Sequence, residues 1–380
     1  MSKSKKSFFK RNWKLIVNIV TMVALLGLVF AIRHQIIDTF NNLARVNVWV
    51  LLLMIPLQAL NYHSQTRVYQ DLFGLVGNRL KYKAVLRVAL ELNFVNHVFP
   101  SGGVSGISYF GLRMKGADIT GGKATIVQLL KLILLFISFE ILLIGGLLIM
   151  ALDGRASNLV VLAAGCLSTL LVVGTFAFVA IIGSERRIHV AFRAITLALN
   201  RVIHFFRPKS PETIKMARIE VMAVELHNNY KLVESNAREL KRPFFWSFMA
   251  NLTEVLTVYA VYVAFGEWVN LGAVILAYAV ANFAGLVSVL PGGVGIYEAL
   301  MTGVLAAAGV KPALSLPVTV MFRVLSTLIQ LPPGYILYHQ SLRRMQKEAG
   351  GSDFDGSSVP IPHAISSDVG EGNNKSGDKQ

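Results

Sequence analysis

The sequence predicts an all-α polytopic membrane protein with about six to eight transmembrane helices, in which two broken or re-entrant Pro-Gly-Gly segments form an inverted repeat. Three observations carry that prediction. Of the 380 residues, 54% are hydrophobic and 15% are charged, against roughly 25% charged in an ordinary soluble domain. Six apolar runs reach or approach the roughly 20 residues that a helix needs to cross a bilayer. The stretch FPSGGVSG, Phe99 to Gly106, returns as LPGGVG, Leu290 to Gly295, inside a second apolar region.

Taken in order, a basic segment MSKSKKSFFKRNWK, residues 1–14, leads straight into the first run, Leu15 to Ile32. No small-residue cleavage site follows before Arg33 and His34, so this run reads as an uncleaved anchor rather than a signal peptide. The other runs are Val48 to Gln65, Ala124 to Met150, Leu159 to Gly183, Phe244 to Phe265 and Leu316 to Gln340. Lys and Arg are retained in the cytoplasm, so the basic connections set the orientation. The N-terminal segment, Arg67 to Arg87 and Gly183 to Lys241 are strongly basic and are expected inside. The connections at Arg33 to Asn47, Asp153 to Asn158 and Gly266 to Asn270 are short or poor in basic residues and are expected outside, which puts both termini in the cytoplasm. The formal charge of +16, from 37 Lys and Arg against 21 Asp and Glu, is thus read as orientation and not as a nucleic-acid-binding surface.

Two pieces fit no simple crossing. Val85 to Gly122 holds FPSGGVSG and must begin and end in the cytoplasm, while Leu271 to Ala313 holds LPGGVG and must begin and end outside. Each therefore reads as a re-entrant hairpin, the two entering from opposite faces; a variant in which both cross fully satisfies the charges equally well. Residues 184–243 are expected to form a cytoplasmic amphipathic helical segment, with a helix starting after Pro211. The end of the chain, residues 343–380, is rich in Gly, Ser, Asp and Pro beyond Gly350 and is expected to be a disordered cytoplasmic tail.

A Pro-Gly-Gly break frees backbone N–H and C=O groups, which hydrocarbon tolerates only where protein or a water-filled cavity satisfies them. Two breaks imply a cavity. A helix resuming after Gly103 or Gly295 would aim its positive end and unpaired N–H groups there, a setting for an anion such as a lipid phosphate. The backbone at Pro100, Gly102, Gly103, Pro291, Gly292 and Gly293 is accordingly a candidate binding surface. An Asn-Phe pair precedes each break, at Asn93-Phe94 and Asn282-Phe283.

Ionisable residues inside apolar runs are costly and by default mark function or a paired contact. Arg323 suits a phosphodiester through its fork of donors, or an internal salt bridge to Glu298 or Glu254. Glu298, in the first turn after LPGGVG, serves either as a helix cap or as a headgroup contact. Glu254 sits well inside the fifth run, and His97, with Glu91 and Asn93, precedes the first break, where it lines the cavity or is simply hydrogen-bonded. Lys131 is expected to snorkel to the cytoplasmic side, and Glu140 does not share its helix face. Ala277, Ala281 and Gly285 form a small-residue stripe for close helix packing. The lone Cys166 excludes an internal disulfide, and no Cys/His spacing holds a metal. GADITGGKAT lacks the spacing and the preceding strand of a phosphate-binding loop, which excludes ATP hydrolysis at that motif, and no cofactor is expected.

PSGGVSG followed by LRMKG, then LPGGVGIYEAL, then FRVLSTLIQLPPGY together resemble the flippase-like membrane domain of lysylphosphatidylglycerol synthases and its free-standing relatives. The likeness covers most of residues 10–342, so that 15–342 read as a flippase-like transmembrane domain. Where many members carry Arg before the Glu of the second motif, this chain has Tyr297. The resemblance implies a multi-pass protein of the cell membrane that moves an anionic phospholipid or related lipid between leaflets. The soluble aminoacyl-transfer domain of the synthases has no counterpart in the roughly 40 residues after Tyr338, so the chain is expected not to be an enzyme. Two other readings stand beside it: an intramembrane transferase acting on a polyprenyl-phosphate lipid, and a non-transporting scaffold that recruits partners through Gly183 to Lys241.

Overall fold

The computed structural model describes residues 46–98, 104–117, 119–154, 157–191, 216–287 and 295–349, with isolated positions at 30, 33, 34, 37, 193, 194 and 197. Nearly all of the Leu15 to Ile32 run, residues 99–103 and 288–294 with the Pro and Gly-Gly of the two breaks, and the tail from 350 onward lie outside the described residues. All regular structure among the described residues is helical: α1 (Val48–Leu51), α2 (Met54–Leu75), α3 (Tyr82–Val98), α4 (Val104–Lys115), α5 (Gly121–Leu152), α6 (Asn158–Ile182), α7 (Met216–Ser235), α8 (Lys241–Ala264), α9 (Leu271–Val287), α10 (Ile296–Ala307) and α11 (Pro312–Ala349), with a 3₁₀ turn at Ala237–Leu240.

Helix starts follow local chemistry. The Asn47 side chain caps α1 by accepting from Trp49 N at 3.1 Å. Thr120 Oγ1 caps α5 by accepting from Lys123 N, and Ser157 Oγ caps α6 by accepting from Val160 N, each at 3.4 Å. Among the described residues, four stretches are long and apolar enough to cross a membrane: Gly121–Leu152, Asn158–Ile182, Ala237–Ala264 and Pro312–Arg344. These correspond to four of the six expected runs. The expected Val48 to Gln65 run is divided into α1 and α2, and α2 continues past Gln65 to Leu75, into the stretch expected to be a basic connection. The reason lies in its polar residues: Gln58, Asn61, Ser64 and Thr66 are buried, so this helix runs through protein and needs no uniformly apolar surface. The amphipathic segment does form a helix, α7, whose described part starts at Met216 and lies against α5.

The two broken regions are built alike. The helices before the breaks, α3 and α9, are 17 residues each, and those after them, α4 and α10, are 12 residues each. At 1.5 Å per residue a 12-residue helix spans about 18 Å, short of the roughly 30 Å hydrocarbon core. Packing repeats the correspondence. The central contact is α2 on α8; α3 lies on α11 as α9 lies on α5, and each short helix rests on the long one that follows it, α4 on α5 and α10 on α11. Exchanging α2–α5 with α8–α11 leaves this set of contacts in place, the arrangement of an internal repeat.

The two equivalent crossings are both closed by glycine. A Cβ on Gly334 of α11 would lie 2.7 Å from the Leu90 carbonyl oxygen and from Phe94 Cβ on α3; a Cβ on Gly272 of α9 would lie 2.1 Å from the Gly146 carbonyl oxygen on α5. The Asn-Phe pairs take matching places too. Phe94 meets Tyr335 edge-on and Tyr338 at a tilt on α11, and Phe283 meets Phe139 edge-on and Phe136 at a tilt on α5. Ala277 and Ala281 are fully buried, as a packing stripe requires. Helix α6 stands at the edge, with Leu162, Val173 and Phe176 exposed as a lipid-facing surface would be.

Candidate functional site

Helices α2, α5, α8 and α9 enclose a cavity of about 240 Å³. Its lining mixes the apolar Leu135, Phe139, Tyr278 and Phe283 with the polar Asn61, Gln65, Lys131, Asn251, Glu254 and Asn282. Hydrogen bonds hold several of the polar groups in place. Asn61 Nδ2 donates to the Ala250 carbonyl at 2.7 Å and to Thr253 Oγ1 at 3.2 Å, and its Oδ1 accepts from Gln65 Nε2 at 2.7 Å. Gln65 in turn accepts from Lys131 Nζ at 3.4 Å. The ammonium also donates to Tyr69 at 3.0 Å and sits 4.2 Å from the centroid of that ring. Lys131, expected to snorkel toward the cytoplasmic side, is half-buried in the cavity lining, where neutral oxygens and an aromatic face on α2 are its partners. Among the described residues no carboxylate lies within ion-pair distance of it.

A chain of side-chain hydrogen bonds leads away from Glu254. Gln58 Nε2 donates to Glu254 Oε2 at 3.4 Å, Gln330 Nε2 to Gln58 Oε1 at 2.8 Å, and Asn93 Nδ2 to Gln330 Oε1 at 2.9 Å and to Tyr62 Oη at 2.5 Å. It links α8, α2, α11 and α3.

Arg323 and Glu298 form a salt bridge, with side chains 17% and 6% exposed. Glu298 Oε2 also accepts from Gly295 N at 2.7 Å, so the carboxylate caps α10 and holds the arginine together. The guanidinium lies 4.9 Å from the centroid of Tyr297. Of the two partners expected for Arg323, the structure selects Glu298. His97 Nδ1 donates to the Asn93 carbonyl at 2.9 Å, and the ring lies within electrostatic range of Arg323. The end of the helix before the first break therefore sits near the arginine that holds the helix after the second. Glu91, fully buried, accepts from Arg113 Nε and Tyr109 Oη at 2.8 Å each and from the Ser341 hydroxyl.

Of the predicted site residues, Glu254 lines the cavity, Arg323 and Glu298 pair outside its lining with His97 within electrostatic range of the arginine, and Pro100, Gly102, Gly103, Pro291, Gly292 and Gly293 lie outside the described residues. Sequence reading passed over Gln58, Asn61, Gln65 and Asn251. A signal was available: Gln58, Asn61 and Gln65 recur at i, i+3 and i+7, a polar stripe within an apolar run. What the arrangement can do follows from its charges. Releasing Arg323 to a ligand means opening a buried ion pair, whereas Lys131 is held by neutral groups and can take an anion without breaking one.

Comparison with known proteins points the same way as the architecture. A UPF0104 membrane protein of Methanothermobacter thermautotrophicus is 36% identical over 92 residues, 24% of this chain and 28% of the relative. A second from that organism is 26% identical over 166 residues, 44% of this chain and 48% of the relative. One from Pyrococcus horikoshii is 27% identical over 113 residues, 30% and 34% of the two chains. The aligned regions thus span about half or less of the curated relatives' lengths. Residues 15–334 match the family described as the lysylphosphatidylglycerol synthase TM region. With the match running through both broken-helix regions and the helices around them, this chain belongs to the lysylphosphatidylglycerol synthase transmembrane region family of integral membrane proteins.

Proposed function

We propose that this protein moves an anionic phospholipid, or a related lipid, between the leaflets of the cell membrane without altering it covalently. The observation that carries the reading is a largely apolar cavity between the helices of a membrane domain, with Lys131 and a few uncharged polar side chains in its lining. Family membership and the paired architecture support it. In such repeats a substrate site lies between the halves, and rocking one half against the other exposes it to each side in turn. The phosphate enters beside Lys131, Asn61 and Asn251 while the acyl tails stay in the bilayer. The distribution of basic segments supports both termini in the cytoplasm, with residues 15–342 as the translocating domain and 184–243 as its cytoplasmic helical segment.

The test is a proteoliposome assay in which fluorescent phosphatidylglycerol is bleached from outside by dithionite. The native protein is expected to expose inner-leaflet lipid that empty vesicles protect. Lys131→Met is expected to slow this at least about tenfold, the equivalent of one charge-assisted hydrogen bond at about 1.5 kcal/mol. Equal rates in the two proteins would remove Lys131 from the site. Covalent change of the lipid would favour the transferase reading.

A further inference from the structure

The carboxylates buried among these helices are not equivalent. Glu91 holds Arg113 and Glu298 holds Arg323. Glu140 accepts from the Ser168 hydroxyl, away from the cavity. Glu254 alone of the four lines the cavity; the hydrogen bond it receives from Gln58 is 3.4 Å long, and among the described residues no Lys or Arg lies within ion-pair distance. An ionised carboxylate in such a place is costly, and proton uptake is the ordinary way to remove the cost.

The surroundings make that proton consequential. The titratable groups about Glu254 are Lys131 on α5 and Tyr278 on α9, which line the same cavity, Tyr62 on α2, joined to it through Asn93, Gln330 and Gln58, and Tyr297 on α10, within electrostatic range, while Arg323 of α11 is held by Glu298. Helix α1 contributes no titratable side chain, and the 3₁₀ turn bearing Arg238 and Glu239 meets α8 at its far end, about 20 Å away at 1.5 Å per residue. Lys131 and Glu254 thus share one small cavity. An anion arriving at Lys131 meets repulsion from an ionised Glu254, and protonation removes it. By linkage, the anion then raises the affinity for the proton as much as the proton raises the affinity for the anion. The amide chain from Gln58 through Gln330 to Asn93 ties this carboxyl to α11 and α3, so both halves sense its state.

Resting on the translocation reading above, we propose that Glu254 is a proton-binding site that couples lipid movement to a pH gradient: it takes up a proton when an anionic headgroup enters beside Lys131, and proton and lipid cross together. The balance is one proton bound from the side the headgroup leaves and one released on the side it reaches. Lipid should therefore collect in the leaflet facing the alkaline compartment, to a limit of about tenfold per pH unit for one proton.

The experiment uses the full chain in phosphatidylcholine vesicles carrying fluorescent phosphatidylglycerol, with a one-unit pH gradient of either sign and dithionite to read the leaflet ratio. The native protein should enrich the alkaline-facing leaflet and reverse with the gradient. Glu254→Gln should show no gradient-driven enrichment while keeping its thermal unfolding midpoint. Enrichment by Glu254→Gln equal to native would overturn the coupling while leaving translocation standing. Equilibration by the native protein without response to the gradient would do the same. Absence of any movement by the native protein would overturn translocation and the coupling with it. Should Glu254→Gln move no lipid, infrared difference spectra decide: a protonated-carboxyl band in the native protein, strengthened by added phosphatidylglycerol and missing from Glu254→Gln, supports the proposal, and no such band overturns it.

Discussion

At the scale of single residues, the molecule sorts its buried charges by whether they have a charged partner. Arg323 is the residue a reader of the sequence would choose for a phosphate, and its place in the last long helix was legible; its engagement by Glu298, 25 positions earlier in the first turn after the second break, was one of two pairings that the sequence left open. Lys131 shows the opposite case. Its helix reads as uniformly apolar around it, and only the three-dimensional meeting of α5 with the Gln58, Asn61 and Gln65 face of α2 turns it inward. The distinction predicts different costs. Removing Arg323 alone leaves a buried carboxylate uncompensated, at about 3–5 kcal/mol, whereas Arg323→Met with Glu298→Met removes the pair as a unit. Unfolding in detergent should show the double variant more stable than Arg323→Met alone. A double variant with the sum of two single losses would mean that the pair is not a unit.

At the scale of elements, the long apolar helices α5, α6, α8 and α11 were legible because lipid and core make the same demand on a sequence. Helix α2 was not legible to its end, since a helix buried among other helices carries polar side chains that blur its boundary with a connection. The small-residue stripe on α9 was read correctly as packing, but the tightest contact lies one turn earlier, where Gly272 meets Gly146. No periodicity reveals which glycine on another helix will stand opposite. Gly272→Val should force α5 and α9 apart and destabilise the fold by about 1–3 kcal/mol or more. The measurement is the thermal unfolding midpoint of purified protein; a midpoint equal to native would mean that the crossing has room that its geometry denies.

At the scale of the whole molecule, the repeat was legible in the recurrence of Pro-Gly-Gly and of Asn-Phe before it. Its physical content, that α3 on α11 mirrors α9 on α5 around a central α2–α8 contact, required the fold. The cavity follows from that contact. It opens beside the axis between the halves, where neither half alone could enclose it, and it gathers residues from both: Asn61, Gln65 and Lys131 from the first, Asn251, Glu254 and Asn282 from the second. The central claim, that a lipid headgroup occupies this space, is tested most directly with a phosphatidylglycerol carrying a photoreactive group on its headgroup, cross-linked to the protein in vesicles and mapped by mass spectrometry. The account predicts label on the cavity-lining stretches of α2, α5, α8 and α9, reduced in a cavity-filling Asn251→Trp variant. Label confined to the lipid-facing surface of α6, unchanged by that variant, would contradict it.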